Sequence, residues 1–334
     1  MMNRDIIFDE RWSDFGGIGT FSREIQQIAK FTNANFHGNP ISPFDCVRMS
    51  FYIITLKAGC IFLPGYIPPL FSKIPYVFTI HDLNHIDRDE NSSLLKRIFY
   101  KFIIKRGCKK AKKIFTVSEF SRKRIIDWAK IDPQKVINIG NGVSSQFNEN
   151  VIPKKFDFPY ILCVSNRKLH KNEEMTIKSF ANAKLSSDYK LVFTGKCDES
   201  LHELIIKMDL GDKIFFTGFV EQHDFPSLYK GADALIFISL YEGFGLPIIE
   251  AMACGTPVIT SRCSSLPEIA GEAALLVNPL DLHEISKAIS LLTYDKNLRS
   301  ELIKKGLMQA KKFTWQATAM KAKANLEQII YGVS

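Results

Sequence analysis

The sequence lacks several features that would place it in a membrane-spanning, secreted or metal-binding class. No apolar run approaches roughly 18 residues, so no membrane-spanning segment is predicted. Acidic side chains begin at Asp5, which argues against a secretory signal peptide. The 7 cysteines are an odd number without a Cys-x-x-Cys pair, so free buried thiols are favoured over disulfides or zinc ligands. These absences favour a cytoplasmic protein.

The length and composition predict a globular protein of two domains. A chain of 334 residues is long for one hydrophobic core, and 46% hydrophobic with 24% charged residues is typical of globular proteins. Strand and helix patterns alternate over the first part, and a polar stretch with Pro153 and Pro159 separates them from a second alternating set. We therefore predict the α/β class, with domains 1–150 and 151–313 and a final amphipathic helix over 314–334.

Apolar, β-branched segments predict the strands of both domains. In the first domain they fall at 5–8, 76–80, 113–117 and 135–139. In the second they fall near 160–164, 190–194, 213–216, 234–238, 257–260 and 274–277. Residues 16–19 are predicted to form a turn before a helix. Their Gly-Gly-x-Gly spacing differs from the dinucleotide pattern Gly-x-Gly-x-x-Gly, which disfavours a nicotinamide cofactor.

Residues 239–261 carry the most specific pattern in the chain. A buried strand is predicted to end just before them, and Gly243 and Gly245 then form a turn. Pro247 suits the first position of a helix, and Gly255 suits its end. A strand, glycine turn and helix in this order present backbone N–H groups and a positive helix end to an anion.

Two carboxylates, Glu242 and Glu250, frame this turn, and Glu250 is expected in the first turn of the helix. A phosphate repels carboxylates, so they are better suited to accept hydrogen bonds from hydroxyl groups. A sugar nucleotide carries both phosphates and hydroxyls. In the alternative, Glu250 merely complements the helix N-terminus and Glu242 is a solvated loop residue.

The motif Glu242-x7-Glu250 around Gly-Phe-Gly-Leu-Pro, followed by Glu-Ala-Met-Ala-Cys-Gly-Thr-Pro-Val, resembles the signature of glycosyltransferase family 4. That family comprises retaining enzymes with two Rossmann-like domains facing across a cleft, the GT-B architecture. The amino-terminal patterns Asp9-x-Arg11, Gly-Gly-Ile-Gly, Thr-Ile-His-Asp-Leu and Val-Ser-Glu-Phe-Ser-Arg are most similar to bacterial mannosyl- or rhamnosyltransferases of surface-polysaccharide assembly. Residues 32–60 match least.

The resemblance implies a metal-independent sugar transferase with no cofactor, acting in O-antigen or capsule synthesis. Mannose from GDP-mannose is the first candidate, and rhamnose or another hexose from a UDP- or dTDP-sugar is the alternative. The implied acceptor is a polyprenyl-diphosphate-linked oligosaccharide at the inner face of the cytoplasmic membrane. There are two other candidate functions: a sugar phosphorylase of the same architecture and an inactive sugar-nucleotide-binding scaffold.

The resemblance also assigns residues to the site. The implied catalytic residues are His81, Arg167, Lys171 and Glu242. The implied donor-binding residues are Gly17, Arg167, Lys171, Val220, Leu228, Glu242, Gly243, Phe244, Gly245, Leu246 and Glu250. In the family the arginine commonly precedes the lysine by five residues, a spacing that falls here on Asn166 instead of Arg167. No metal is implied, and the pair Asp87 and Asp89 is disfavoured as a metal site.

The net charge of +9 is concentrated in residues 96–113, which hold nine Lys and Arg and no acid. Ile98, Phe99, Phe102 and Ile103 have the spacing of one helical face, so the segment is typical of a helix on an anionic membrane surface. The residues assigned to this surface and the lipid-linked acceptor are Lys96, Arg97, Lys101, Lys105, Arg106, Lys109 and Lys110. The alternative is a core-facing helix with a solvated basic back. Nucleic acid is disfavoured because no recognition motif accompanies the charge.

Overall fold

The structure is a computed structural model that describes residues 5–88 and 93–332. The chain divides into two compact units, one of residues 1–142 with 314–334 and the other of residues 143–313. The division falls after Gly142, whereas the sequence pattern placed a boundary at 150. Residues 143–150 join the second unit because Val143 donates its N–H to the Phe313 carbonyl (3.1 Å) and the Phe147 ring packs on Tyr229 (5.9 Å).

The first unit is built on a parallel six-stranded sheet in the order β2-β1-β3-β4-β5-β6. Its strands are β1 Ile6–Phe8, β2 Thr32–Asn33, β3 Cys60–Leu63, β4 Tyr76–Thr79, β5 Lys113–Thr116 and β6 Val136–Asn138. Four of them, β1, β4, β5 and β6, were predicted from the sequence. The two that were missed lie in or next to residues 32–60, although β3 is a continuous run of buried apolar residues.

Helices of the first unit lie between its strands along the chain. Before the second unit begins they are α1 Gly16–Ala29, α2 Asp45–Thr55, α3 Asn84–Asp87, α4 Leu94–Phe99, α5 Lys105–Lys110 and α6 Glu119–Ala129. The predicted turn at residues 16–19 is wrong, because those residues form the first turn of α1. Gly19 lies so close to the preceding chain that a Cβ would stand 2.4 Å from the Ser13 carbonyl oxygen.

The second unit repeats the architecture with a parallel sheet in the order β12-β11-β10-β7-β8-β9. Its strands are β7 Tyr160–Cys163, β8 Lys190–Phe193, β9 Ile214–Phe216, β10 Ala234–Phe237, β11 Val258–Ser261 and β12 Ala274–Val277. All six were predicted within a residue or two, and the two parallel sheets confirm the predicted α/β class.

The connections of the second unit are helical. They are α7 Glu173–Asn182, α8 Glu199–Lys207, α9 Phe225–Gly231, α10 Leu246–Ala253, α11 Leu266–Ala270, α12 Leu282–Tyr294 and α13 Lys296–Ala310. Along the chain, β8 and β9 add in turn to one side of β7, and β10 then pairs with the other side of β7. The direction of winding therefore reverses between β7 and β10, and α/β sheets bind ligands at the carboxyl ends of such strands.

The final helix, α14 (Trp315–Tyr331), belongs to the first unit and packs against α1. Thr314 caps its N-terminus by accepting from the Ala317 N–H, and the Trp315 ring lies 6.3 Å from that of Phe21. Lys113 holds the far end by donating to Asn325 Oδ1 at 2.7 Å. Throughout residues 5–88 and 93–332, no helix combines the length and apolar character needed to cross a membrane.

Candidate active site

The carboxyl ends of β7 and β10 bring two of the predicted site residues into direct contact. Lys171 lies in a single 3₁₀ turn, Leu169–Lys171, between β7 and α7, and Glu242 follows β10. Lys171 Nζ lies 2.6 Å from Glu242 Oε1, and the two side chains are only 15% and 14% exposed. The ammonium also lies 4.9 Å from the centre of the Phe237 ring. A largely desolvated ion pair thus stands where the fold class binds ligands.

Hydrogen bonds between the two loops hold this pair in place. Asn172 adopts a left-handed conformation (φ +60°) and donates its side-chain amide to the carbonyls of Ile238 (3.3 Å) and Pro279 (2.8 Å). The Leu240 N–H donates to the His170 carbonyl at 2.7 Å. The lysine-bearing loop is therefore tied to the glutamate-bearing loop on both sides of the ion pair.

The glycine turn after β10 has the conformation that its sequence predicts. Gly245 has φ +105°, and a Cβ there would lie 2.8 Å from Leu266 Cδ2, so a side chain is excluded. The Ser265 hydroxyl lies 3.0 Å from the carbonyl oxygens of both Glu242 and Phe244, which share its single hydrogen. Helix α10 starts directly afterwards at Leu246, so its positive end lies at the carboxyl edge of the sheet.

Glu250 lies further into α10 than expected. The helix starts at Leu246, so Glu250 is its fifth residue, and no acid occupies the first turn. The expected position in the first turn is therefore wrong. The simple alternative, in which this carboxylate complements the first-turn dipole, loses its basis.

A buried tyrosine holds Glu250 instead. Tyr229, fully buried on α9, donates its hydroxyl to Glu250 Oε2 at 2.8 Å. Burial raises the pKa of Glu250 to about 7, although the hydrogen bond from Tyr229 opposes the rise. Near neutral pH this carboxyl group can therefore act both as a hydrogen-bond acceptor and as a donor. Sequence reasoning missed Tyr229, since nothing in the sequence links α9 to α10.

The structure directs Arg167 away from the Lys171–Glu242 pair. Its backbone is left-handed (φ +61°), and its guanidinium lies over the rings of Phe193 and Phe216, 5.3 and 5.2 Å from their centres. Nε donates to the Lys196 carbonyl at 2.8 Å, and the two terminal nitrogens donate to Glu173 and to the Thr194 carbonyl. Burial raises the pKa of Glu173, while the charge of Arg167 lowers it.

The other donor-site residues of the second unit fall into two groups. Gly243, Phe244, Gly245 and Leu246 follow one another in the turn after β10, and the Phe244 ring packs into the interior against Phe313 (5.6 Å). Leu228 is buried on α9, and Val220 is half-buried after β9. The positions of Phe244 and Leu228 give their side chains a packing role.

His81 follows β4 in the first unit, and its ring is held by two neighbours. Nε2 lies 2.9 Å from the Pro64 carbonyl oxygen, and the ring meets Phe21 of α1 edge-on at 4.8 Å. Because a carbonyl only accepts hydrogen bonds, Nε2 carries the hydrogen and Nδ1 keeps a lone pair. Burial lowers the pKa of His81 to about 4, so the ring is neutral at physiological pH and Nδ1 can accept a hydroxyl hydrogen.

A buried ion-pair network that sequence reasoning did not identify lies ahead of α1. Arg11 donates to the carboxylates of Asp9 (2.8 Å) and Asp45 (2.9 Å), and both carboxylates are buried. This fixes the segment leading to Gly17, which is exposed near the start of α1. The sequence signal was the Asp9-x-Arg11 motif, although its partner Asp45 is distant in sequence.

Metal ligands were not expected, and the described ranges 5–88 and 93–332 hold no group of three or more His, Cys, Asp or Glu side chains placed to bind a metal ion. Asp87 pairs with Arg124, whose Nε lies 2.9 Å from Asp87 Oδ2. Asp89 lies outside the described residues.

The basic segment forms one helical stretch in which α4 and α5 are joined by a π-helical turn, Tyr100–Ile104. Tyr100, Ile104 and Cys108 face the core. The predicted apolar face of Ile98, Phe99, Phe102 and Ile103 is therefore divided: Phe99 and Ile103 are half-buried, whereas Ile98 and Phe102 are exposed. The cations assigned to the membrane surface are exposed, except for Lys105, which is half-buried. The exposed ones are Lys96, Arg97, Lys101, Arg106, Lys109 and Lys110.

Comparison with known proteins shows the family of the chain. The model for group 1 glycosyl transferases matches residues 144–308, and the model for glycosyltransferase family 4 matches residues 9–147. The Escherichia coli O-antigen chain mannosyltransferase B is 32% identical over 220 residues, covering 62% of this chain and 58% of that protein. O-antigen chain mannosyltransferase RfbU of Salmonella typhimurium is 34% identical over 215 residues, covering 63% and 59%. The chain thus spans under two thirds of either relative.

The fold has solved counterparts. Anabaena HepE in complex with UDP-glucose matches with a TM-score of 0.76 at 17% identity, covering 97% of this chain and 99% of that one. This likeness shows the fold, which is the GT-B architecture of two Rossmann-like domains. With its two units matched in turn by the two family models, this chain belongs to glycosyltransferase family 4, the group 1 glycosyltransferases.

Proposed function

We propose that this protein is a retaining glycosyltransferase that moves a sugar from a nucleoside diphosphate to a hydroxyl of a lipid-linked oligosaccharide. The observation that carries the proposal is the Lys171–Glu242 ion pair just before the N-terminus of α10. The pair lies at the carboxyl ends of β7 and β10, the neighbouring strands between which the winding direction of the sheet reverses. The relatives named O-antigen chain mannosyltransferases favour mannose from GDP-mannose and a role in O-antigen assembly. A rhamnosyltransferase of the same family is the alternative.

The chemistry of the transfer suits these groups. The bond between the sugar C1 and the diphosphate oxygen breaks, the acceptor oxygen bonds to C1 on the same face, and the proton of the acceptor hydroxyl passes to the departing diphosphate. Negative charge grows on the departing diphosphate. Lys171 and the N-terminus of α10 would stabilise that charge without a metal ion. Glu242 would hold sugar hydroxyls, Glu250 the ribose diol, and His81 would accept a sugar hydroxyl through Nδ1.

A panel of nucleotide sugars with a short oligosaccharide acceptor tests the reaction. We expect one GDP-, UDP- or dTDP-sugar to yield nucleoside diphosphate and an elongated acceptor in mass spectrometry, equally well in excess EDTA. The new linkage should keep the donor's anomeric configuration in NMR. Sugar 1-phosphate formed in phosphate alone would instead indicate a phosphorylase. Binding without turnover would indicate a scaffold, and activity restored after EDTA by Mn²⁺ would refute the metal-free mechanism.

We also propose that the surface of α4 and α5 binds an anionic membrane, at the inner face of the cytoplasmic membrane. Four large apolar side chains on this stretch point to solvent beside the cations: Leu94 (74% exposed), Leu95 (78%), Ile98 (45%) and Phe102 (60%). A helix whose basic face is only solvated by water would not be expected to expose these four large apolar side chains. Exposed apolar residues among lysines are typical of helices that enter the interface of an anionic bilayer.

A second exposed apolar stripe adjoins this surface. Phe44, Val47, Phe51 and Ile54 recur along α2 at helical spacing and are exposed. Phe51 meets the exposed Phe71 ring at 5.9 Å, and Arg106 of α5 donates to the carbonyl of the adjacent Leu70. The apolar stripe of α2 and the basic helix therefore adjoin through residues 70 and 71, which enlarges the surface offered to a bilayer.

Reversal of three exposed charges tests membrane binding. Changing Lys101, Lys109 and Lys110 to Glu should weaken co-sedimentation with vesicles containing phosphatidylglycerol at least tenfold at low salt, since each near-surface charge contributes about 1 kcal/mol. Lys113 is left unchanged because it holds α14. The matched control reverses Lys296, Lys304 and Lys311, which are exposed on or beside α13. Equal binding by the two variants would show that α4 and α5 are simply a solvated face.

A further inference from the structure

The loop that carries Lys171 is closed by a buried ion pair. Arg167 precedes Lys171, and Glu173 follows it as the first residue of α7. Their side chains, 15% and 7% exposed, form an ion pair that spans the loop. Asn172 anchors the same loop to the segment after β10. Lys171 is thus flanked by two fixed points.

Every nitrogen of the Arg167 guanidinium has an acceptor within the second unit. Besides Glu173, the acceptors are the carbonyls of Thr194 and Lys196, which follow β8. The planar group lies over the rings of Phe193 and Phe216, so a guanidinium fits there and an ammonium does not. The geometry fixes the loop to the end of the neighbouring strand.

We propose that Arg167 is a positioning residue, which holds the loop so that Lys171 meets the diphosphate, and that it does not bind the diphosphate itself. The inference rests on the proposed function, in which Lys171 contacts the donor diphosphate. If Arg167 turned toward a phosphate, the Glu173 carboxylate would stay buried without its cation. Breaking a buried pair in this way is strongly destabilising. The family's arginine spacing, which falls on Asn166 in this chain, agrees with this assignment.

A double-mutant cycle separates positioning from direct contact. Arg167→Gln, Glu173→Gln and the double variant are titrated by calorimetry with GDP, UDP or dTDP, whichever wild type binds most tightly, and with the matching nucleoside. We expect each single change to weaken diphosphate binding about tenfold, the double change to add little, and nucleoside binding to stay unchanged. Coupling of this size is expected only for residues that act as one unit.

A conservative variant guards against a folding defect. Arg167→Lys keeps the charge, but one ammonium cannot serve three acceptors across a planar site, so positioning predicts the same tenfold loss with normal nucleoside binding. If the side chain at position 167 instead bound the diphosphate directly, the Arg167→Lys variant would keep much of the wild-type affinity for the diphosphate.

The opposing outcomes are distinct. Loss of diphosphate binding in Arg167→Gln with wild-type binding in Glu173→Gln would overturn the inference alone, and so would an equal loss of nucleoside binding in both. A wild-type protein that binds none of the three diphosphates would refute the proposed function and the inference with it.

Discussion

Replacing Lys171 with methionine is expected to lower kcat for sugar transfer roughly 10²–10³-fold, the loss typical of removing one preorganised group that stabilises developing negative charge. The side chain is 15% exposed and its ammonium lies over the Phe237 ring, so its field is less screened than that of a surface lysine. Methionine keeps the length and the apolar contacts of the side chain and removes the charge. Steady-state kinetics with the nucleotide sugar identified by the panel measures the change.

The same loop offers a matched control. Lys168 lies three residues earlier, its side chain is exposed, and its backbone carbonyl accepts the Lys171 N–H. Lys168→Met removes one positive charge from the loop without touching that backbone contact, so turnover should stay close to wild type. Equal losses in the two variants would indicate a general effect of loop charge. Near wild-type turnover of Lys171→Met would remove Lys171 from the mechanism.

The second unit was predictable because its strands are buried on both faces and read as short apolar runs. Parallel strands also end at a common edge, so Lys171 after β7 and Glu242 after β10 could be expected at the same edge of the sheet. The same reasoning cannot show that β7 and β10 are neighbours, because strand order depends on the packing of the whole sheet.

Side-chain direction was not predictable for Arg167. Its charge and the family resemblance suggested a phosphate contact, although the family spacing falls on Asn166. In the structure the backbone at Arg167 is left-handed, and the guanidinium lies over Phe193 and Phe216 on other strands. Those two rings are far away in sequence, and nothing local shows that they form a site for a planar cation. Charge at a strand end therefore predicts the neighbourhood of a site better than it predicts which atoms contact the ligand.

Helix starts were the least predictable local feature. In the first unit, residues 16–19 were expected as a turn because glycine favours turns, but they begin α1. In the second unit, α10 starts at Leu246, one residue before the expected first position at Pro247, so Glu250 lies beyond the first turn, where it contacts Tyr229. Neither the helix start nor the contact between Tyr229 and Glu250 can be predicted from the local pattern of apolar residues.

Glu250→Gln is expected to stabilise the protein above neutral pH while it impairs transfer. Burial raises the pKa of Glu250 to about 7 from its usual 4.5. Because the folded-state pKa is the higher one, the stability contributed by this group is complete below pH 4.5 and is lost as pH rises through 7. The full loss is about 3 kcal/mol, of which about 2 kcal/mol falls between pH 5.5 and pH 8.5. Glutamine has no charge to bury, and its amide oxygen can still accept the Tyr229 hydroxyl hydrogen.

Denaturant titrations at pH 5.5 and pH 8.5 measure the effect. The free energy of unfolding of Glu250→Gln minus that of wild type should increase by about 2 kcal/mol from pH 5.5 to pH 8.5, which means that the variant becomes relatively more stable. Glu203→Gln, at an exposed position of α8, controls for the substitution itself. At the same time kcat/KM should fall at least tenfold, about 1.4 kcal/mol, since a neutral amide holds the ribose hydroxyls less strongly than a carboxylate. A variant whose stability follows the pH dependence of wild type would show that folding does not raise the pKa of Glu250. A variant that is stabilised and fully active would show that Glu250 has a raised pKa but no role in donor binding.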